Sequence, residues 1–266
     1  MLPYQEERDV AVEAAIRAAH LIRLHAGRLS DDQIQEKSRN NLLTIIDDEA
    51  QRLIMSILME AFPAYGFLAE EETENHAKAG LMRWIIDPID GTTNFSHGVP
   101  PFAVSIALEQ EGAIKVGVTL EVTHHELFTA IEGGGFYVNG VRHTVSNKAT
   151  LRQSLLTTGF PFSQWEHIDA YMAVSKSLMQ QAQAVRRTGA SVVDLAYVAA
   201  GRFDGAFKMG YGPWDVAAGS LMITEAGGVV TDFKGGQDWL FGSRMVASNG
   251  LIHEAILAEM EALQDF

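Results

Sequence analysis

Trp84-Ile85-Ile86-Asp87-Pro88-Ile89-Asp90-Gly91-Thr92-Thr93-Asn94-Phe95 changes character in mid-run: an apolar stretch feeds directly into two carboxylates. The run 83–86 predicts a short buried strand that delivers Asp87 at its end, where Pro88 stops ladder pairing. Asp90 follows three residues later, so a turn can aim both carboxylates at one point. Hard cations such as magnesium take oxygen ligands, often carboxylates with retained waters. Gly91 lets the backbone approach an anion closely, and the amides of Thr92 and Thr93 point outward at a helix start. Asp-Pro, Asp-Gly and Thr-Thr are also ordinary turn residues. A buried strand running straight into two acids favours a site over a plain turn.

A second acid lies far along the chain. Pro213-Trp214-Asp215 opens the run Val216-Ala217-Ala218-Gly219, which continues to Glu225-Ala226-Gly227-Gly228. Proline at the start, an acid in the first turn and glycines at the end are good helix boundaries, so Asp215 could simply complement the helix dipole. The helix body is apolar or small, however, which implies burial, and an acid at the mouth of a buried helix needs a partner. A metal would satisfy it. From the residues alone, Glu70-Glu71-Glu72 reads as a solvated loop, and Asp47 completes a Thr-x-x-Asp helix start with Thr44.

Around these motifs the periodicity is mixed. Residues 7–26 and 44–61 carry helical stripes, and 30–41 reads as a loop or hairpin. Residues 66–69, 83–86, 102–108, 113–122 and 126–131 read as strands, and Asn139-Gly140 is a hairpin signal. Beyond about residue 145, helical patterns at 166–183 and 191–200 alternate with strands at 155–158, 205–209 and 229–231, which suggests layered α/β structure. The chain therefore divides into an N-terminal α+β part, 1–144, and a C-terminal α/β part, 145–266, packed as one rigid body.

Composition narrows the chemistry. The 266 residues are 47% hydrophobic and 20% charged, ordinary for a globular enzyme. Cysteine is absent, which excludes disulfides, a thiolate nucleophile and a cysteine zinc site and fits a cytoplasmic location. No signal-like segment opens the chain, and no run approaches the roughly 20 apolar residues of a spanning helix, so neither export nor a membrane is expected. A net charge of −14 argues against nucleic acid as a partner. It would equally repel a phosphate ester, unless bound divalent cations reversed the sign of the site.

The two motifs, 86–95 and 214–219 continuing to Gly228, resemble the paired signatures of the inositol monophosphatase family. Supporting similarity covers nearly the whole chain, including Asn41-Leu42-Leu43-Thr44 with Asp47, the Ala69-Glu70-Glu71 loop and 189–201. The resemblance implies a five-layer α-β-α-β-α sandwich, a lithium-sensitive homodimer, and hydrolysis of a small phosphate ester with two to three Mg2+ ions. It implies that Glu70, Asp87 and the Ile89 carbonyl hold a first ion, and that Asp87, Asp90 and Asp215 hold a second. Glu70 would also hold a further ion through water. Gly91, Thr92 and Thr93 would donate to phosphate oxygens, and the Thr92 hydroxyl, polarised by Asp47, would help deprotonate the attacking water. The chemistry expected is direct in-line attack by metal-bound water.

The sequence departs from the inositol-hydrolysing pattern at two substrate-side positions. Lys208 stands where a glutamate often binds sugar hydroxyls, and Ser191 where a small apolar residue is common. Lys208 could favour a second anionic group on the substrate, or could simply face solvent. Inositol-1-phosphate or a related polyol phosphate is the leading substrate. Fructose-1,6-bisphosphate, histidinol phosphate and NADP are alternatives. An aspartyl-phosphate phosphatase fits poorly, because two residues rather than one separate Asp87 from Asp90. A regulatory binding protein on the same fold is the rival outside enzymology.

Overall fold

Alanine at every third or fourth position gives residues 5–25 a flat apolar face. The computed structural model describes residues 3–38, 41–71 and 82–264; Met1, Leu2 and Glu72 of the acidic run lie outside them. Helix α1 (Gln5–His25) buries Ala11, Ala14, Ala15, Ala18 and Ile22. A hairpin of β1 (Ile34–Ser38) and β2 (Asn41–Thr44) follows. Thr44 then caps α2 (Ile45–Ala61), its side chain accepting from the Ile46 amide while Asp47 reaches back to the Thr44 amide. The two helices pack on each other through small residues.

Seven strands form the first sheet in chain order: β3 (Gly66–Ala69), β4 (Arg83–Asp90), β5 (Ala103–Gln110), β6 (Ala113–Glu121), β7 (Glu126–Ile131), β8 (Gly135–Val138) and β9 (Val141–His143). The first pair is parallel and the rest antiparallel. Between β4 and β5 lies the short helix α3 (Thr92–Ser96). The strand period of two sorts side chains between two cores. Trp84, Ile86, Val104, Ile106, Val116 and Val118 meet α1 and α2. Ile85, Ala107, Phe128 and Ala130 face the other way.

The second sheet runs β11-β10-β12-β14-β13, from β10 (Leu155–Thr158), β11 (Ala184–Arg186), β12 (Gly205–Met209), β13 (Val229–Thr231) and β14 (Arg244–Ser248). Helices α5 (Ser191–Ala199) and α6 (Ala217–Glu225) lie between the sheets and contact both. The outer face is covered by α4 (Ile168–Gln181) and α7 (His253–Glu259), with Tyr171, Leu178, Phe207, Val246 and Ile256 in that core. The order of layers is therefore α1/α2, first sheet, α5/α6, second sheet, α4/α7. This is the five-layer sandwich expected from the sequence.

Two sequence readings need correcting. Strand β4 does not stop at Pro88; it continues to Asp90. Its pairing with β5 shifts between Asp87 and Asp90, where three steps on β4 match two on β5, from Ser105 to Ala103. Pro88 sits in this bulge, where its missing N–H removes no regular ladder bond. Second, the sequence reading has no β11, β14 or α7, although β14 lies inside the second sheet.

Gly117 sets the distance between first sheet and inter-sheet helices. A Cβ there would lie 2.7 Å from the Ala218 carbonyl oxygen and 3.1 Å from its Cα, both backbone atoms of α6. Gly117→Ala should therefore destabilise by about 1–3 kcal/mol through overpacking. Thermal unfolding should register a fall of about 2–4 °C per kcal/mol in a chain of this size. An unchanged Tm would mean that α6 does not approach β6 this closely.

Candidate active site

The bulge in β4 has a consequence for side-chain direction. Residues three apart on a regular strand point to opposite faces; one extra residue restores them to the same face. Asp87 and Asp90 thus both turn toward the inter-sheet layer. The turn Pro213–Asp215 enters α6 from the other side and brings Asp215 to them. One carboxylate oxygen from each of Asp87, Asp90 and Asp215 lies within 4.8 Å of the other two.

Each acid is held by a different part of the fold. Asp90 Oδ2 accepts from the Val192 amide in the first turn of α5 at 2.7 Å. Asp215 Oδ2 accepts from the Gly212 amide at 2.7 Å, closing its own turn. Asp87 Oδ1 is buried and has no hydrogen-bond partner. Glu70 follows β3, its amide donating to the Ile86 carbonyl at 3.1 Å, and lines the same cleft. The cleft has a volume of about 270 Å³ and also includes Ile89, Gly91, Thr92 and Thr93.

Asp47 makes contact with both Thr44 and Thr92. Its Oδ2 accepts from the Thr44 amide at 2.9 Å and from the Thr44 hydroxyl, completing the cap of α2. Its Oδ1 lies 3.1 Å from Thr92 Oγ1, which also reaches the Ile89 carbonyl at 3.0 Å. Since a hydroxyl has one proton to give, Thr92 can donate to either acceptor and receive a proton in return. Gly91 has φ +89°, and a Cβ on it would lie 3.1 Å from the Pro101 carbonyl and 3.3 Å from that of Gly189. Asn94 ties this turn to the second half of the chain, donating to the Pro101 carbonyl at 2.8 Å and the Thr188 carbonyl at 3.0 Å.

Lys208 is not on the surface. It is 3% exposed on β12, and its Nζ donates to Asp194 Oδ2 at 2.7 Å, with Ser191 Oγ at 3.3 Å. The solvent-facing alternative is thus excluded, and the charge expected to meet a second substrate anion is already matched by Asp194. Sequence reasoning passed over Asp194, although a single acid within the apolar helix Ser191–Ala199 is a sign of a buried partner. It also passed over Phe160, Phe162 and Arg187, which line the cleft from beyond β10 and carry no recognisable spacing.

Electrostatics explain why such a cluster calls for a cation. Burial first, then the charges of Glu70, Asp90 and Asp215, hold the Asp87 carboxyl well above the ordinary carboxylate range. Asp90 is raised likewise by burial and by Asp215, against the opposing effects of the Val192 amide and Lys208. Burial pushes Asp215 up to about 6, although the Gly212 amide and Lys208 oppose it. Burial also lifts Asp47 to about 6, against its bonds to Thr44 and Thr92. An orphaned buried oxygen at the centre of converging carboxylates matches the oxygen-donor set that Mg2+ takes. These residues fit such an ion.

A layered α-β-α-β-α sandwich with carboxylates converging between its sheets is an architecture of the sugar-phosphatase type. The chain belongs to the inositol monophosphatase family, whose profile matches residues 4–265. It is 40% identical over 253 residues to "Nus factor SuhB" of Pasteurella multocida, covering 95% of each chain. It is 40% identical over 249 residues to "Inositol-1-monophosphatase" of Mesorhizobium japonicum, covering 94% of each. Among solved structures, the IMPase of Thermotoga maritima superposes with a TM-score of 0.88 at 33% identity, covering 98% of this chain and 99% of that one. No helix among the described residues is long and apolar enough to cross a membrane.

The pH dependence follows from the raised carboxyls. Their pKa values in the folded protein exceed the unfolded value of 3.8. Above about pH 4 the folded state therefore binds more protons than the unfolded chain, and stability falls as pH rises through about 6. A divalent cation binds the deprotonated carboxylates and so stabilises more at higher pH. Without metal, Tm should decline between about pH 5 and pH 7.5, and added Mg2+ should raise it by an increment that grows over the same interval. Asp215→Asn should remove most of that increment. An increment independent of pH would contradict the assignment of Mg2+ to these acids.

Proposed function

We propose that the chain is a magnesium-dependent phosphatase that hydrolyses a small phosphate monoester, inositol-1-phosphate or a related sugar or polyol phosphate. It acts as a cytoplasmic homodimer in this reading. The observation that carries it is the unsatisfied Asp87 oxygen among Asp90, Asp215 and Glu70, beside the Asp47–Thr92 hydroxyl system.

Asp87, Asp90, Asp215, Glu70 and the Ile89 carbonyl would hold two to three Mg2+ ions. Bound there, magnesium would polarise the phosphoryl group and acidify a water at the site. The chain's own residues supply the rest. Thr92 Oγ1 accepts a proton from the attacking water while its own proton passes to Asp47 Oδ1. Asp47, pushed up to about 6, is a base matched to neutral pH. The amides of Gly91, Thr92 and Thr93 at the start of α3 lack intrahelical partners and orient the phosphoryl oxygens. Ser191, whose Oγ lies 3.3 Å from Lys208 Nζ, would face the alcohol half.

Phosphate release should be measured with Mg2+ from inositol-1-phosphate, fructose-1,6-bisphosphate, histidinol phosphate and NADP, with lithium as an added inhibitor. Thr92→Ala should lower kcat by about 10²–10⁴-fold, the usual contribution of proton transfer. Full activity in that variant would remove Thr92 from the mechanism.

A second reading is favoured by the names of several relatives, which are Nus factors. On this reading the fold serves as a regulatory binding protein. Asp90→Asn separates the two: loss of biological function together with phosphatase activity supports catalysis, and retention of function without activity supports binding.

A further inference from the structure

A side recess of about 150 Å³ opens off the carboxylate cleft and shares Phe160, Phe162, Arg187 and Gly189 with it. The Arg187 guanidinium carbon lies 5.1 Å from the Phe160 ring centre and 5.5 Å from that of Phe162. Attraction to the two rings fixes the guanidinium plane but leaves its edge N–H groups available, the geometry that binds a phosphoryl or carboxylate group as a fork. The recess holds one other cation, Lys208, and Asp194 already takes that charge at 2.7 Å. Arg187 is exposed and forms no salt bridge to a described residue, and it is the one cationic side chain among the described residues lining the main cleft.

We propose that Arg187, held by Phe160 and Phe162, binds a second anionic group on the alcohol half of the substrate, so that the preferred substrates are esters carrying an additional phosphoryl or carboxylate. The inference rests on the phosphatase reading above and assigns to Arg187 the role that the sequence suggested for Lys208. Its physical basis is charge. A second anion lies away from the ions that the carboxylates would hold around the reacting phosphorus, and Arg187 is the cation placed to meet it there.

The test compares two esters that differ only in the second phosphate, fructose 1-phosphate and fructose 1,6-bisphosphate. With Mg2+, the full chain should favour the bisphosphate in kcat/KM by about tenfold or more, the scale of one charge-assisted contact. Arg187→Ala should bring the ratio close to one, and Arg187→Lys should retain part of it. A wild-type ratio near one, or a ratio that survives Arg187→Ala, overturns the proposal. So does an Arg187→Ala variant whose sedimentation changes while its ratio does not, since that assigns the side chain to a subunit contact. If neither ester is hydrolysed and none of the four esters named above is, the phosphatase reading fails separately. Calorimetric binding of the two ligands then decides the role of Arg187 by the same comparison of wild type with Arg187→Ala.

Discussion

Three carboxylates are forced together where water is scarce, and the rest of the molecule is arranged around that repulsion. Asp87, Asp90 and Asp215 approach within 4.8 Å in a largely buried setting. Two unit charges about 4 Å apart repel by roughly 4 kcal/mol at an effective dielectric constant of 20. The acids respond by holding protons well above their ordinary range. No single element could impose this. It takes a strand of one sheet, a turn of the opposing layer and the first turn of an inter-sheet helix, each fixed by its own hydrophobic core. The cores supply the free energy that the acid cluster costs, a common division between scaffold and site.

The means of convergence are local and identifiable. One extra residue in β4 turns Asp90 to the same face as Asp87. The Val192 amide fixes Asp90 to α5, and Asn94 fixes the Gly91–Asn94 turn to the loop before α5. Gly189, with φ +95°, makes room for the Asn94 amide, which would lie 2.8 Å from any Cβ there. These contacts join residues about a hundred positions apart in the chain, so the cleft exists only when both sheets are assembled.

Much of this was legible before any coordinates. The 3.6-residue stripes of α1 and α2 and the paired signature motifs point directly to the layers and to the acids. What escaped has physical reasons. Pro88 appears to end a strand because proline cannot donate to a ladder, but a bulge needs no donor there. Strand β14 is buried on both faces, so its Met245-Val246-Ala247 run shows no alternation, and β11 is a three-residue strand at the sheet edge. Asp47 looked like a choice between capping α2 and meeting Thr92, whereas one oxygen makes each contact. Lys208 reads as either a substrate contact or a solvent-facing side chain; only the fold shows Asp194 opposite it.

The Lys208–Asp194 pair shows how a buried charge can act on the acid cluster from a distance. Buried ion pairs contribute little net stability, since desolvation offsets their attraction. Its value lies in position. Lys208 projects from β12 of the second sheet, Asp194 from α5, and Asp194 Oδ1 also accepts from Thr188 at 2.7 Å in the loop that Asn94 holds. The pair is thus a strut from sheet to helix, and the same helix presents the Val192 amide to Asp90. Through space, the Lys208 charge opposes the upward shifts of Asp90 and Asp215. A lysine at this place therefore steadies the acid cluster from behind.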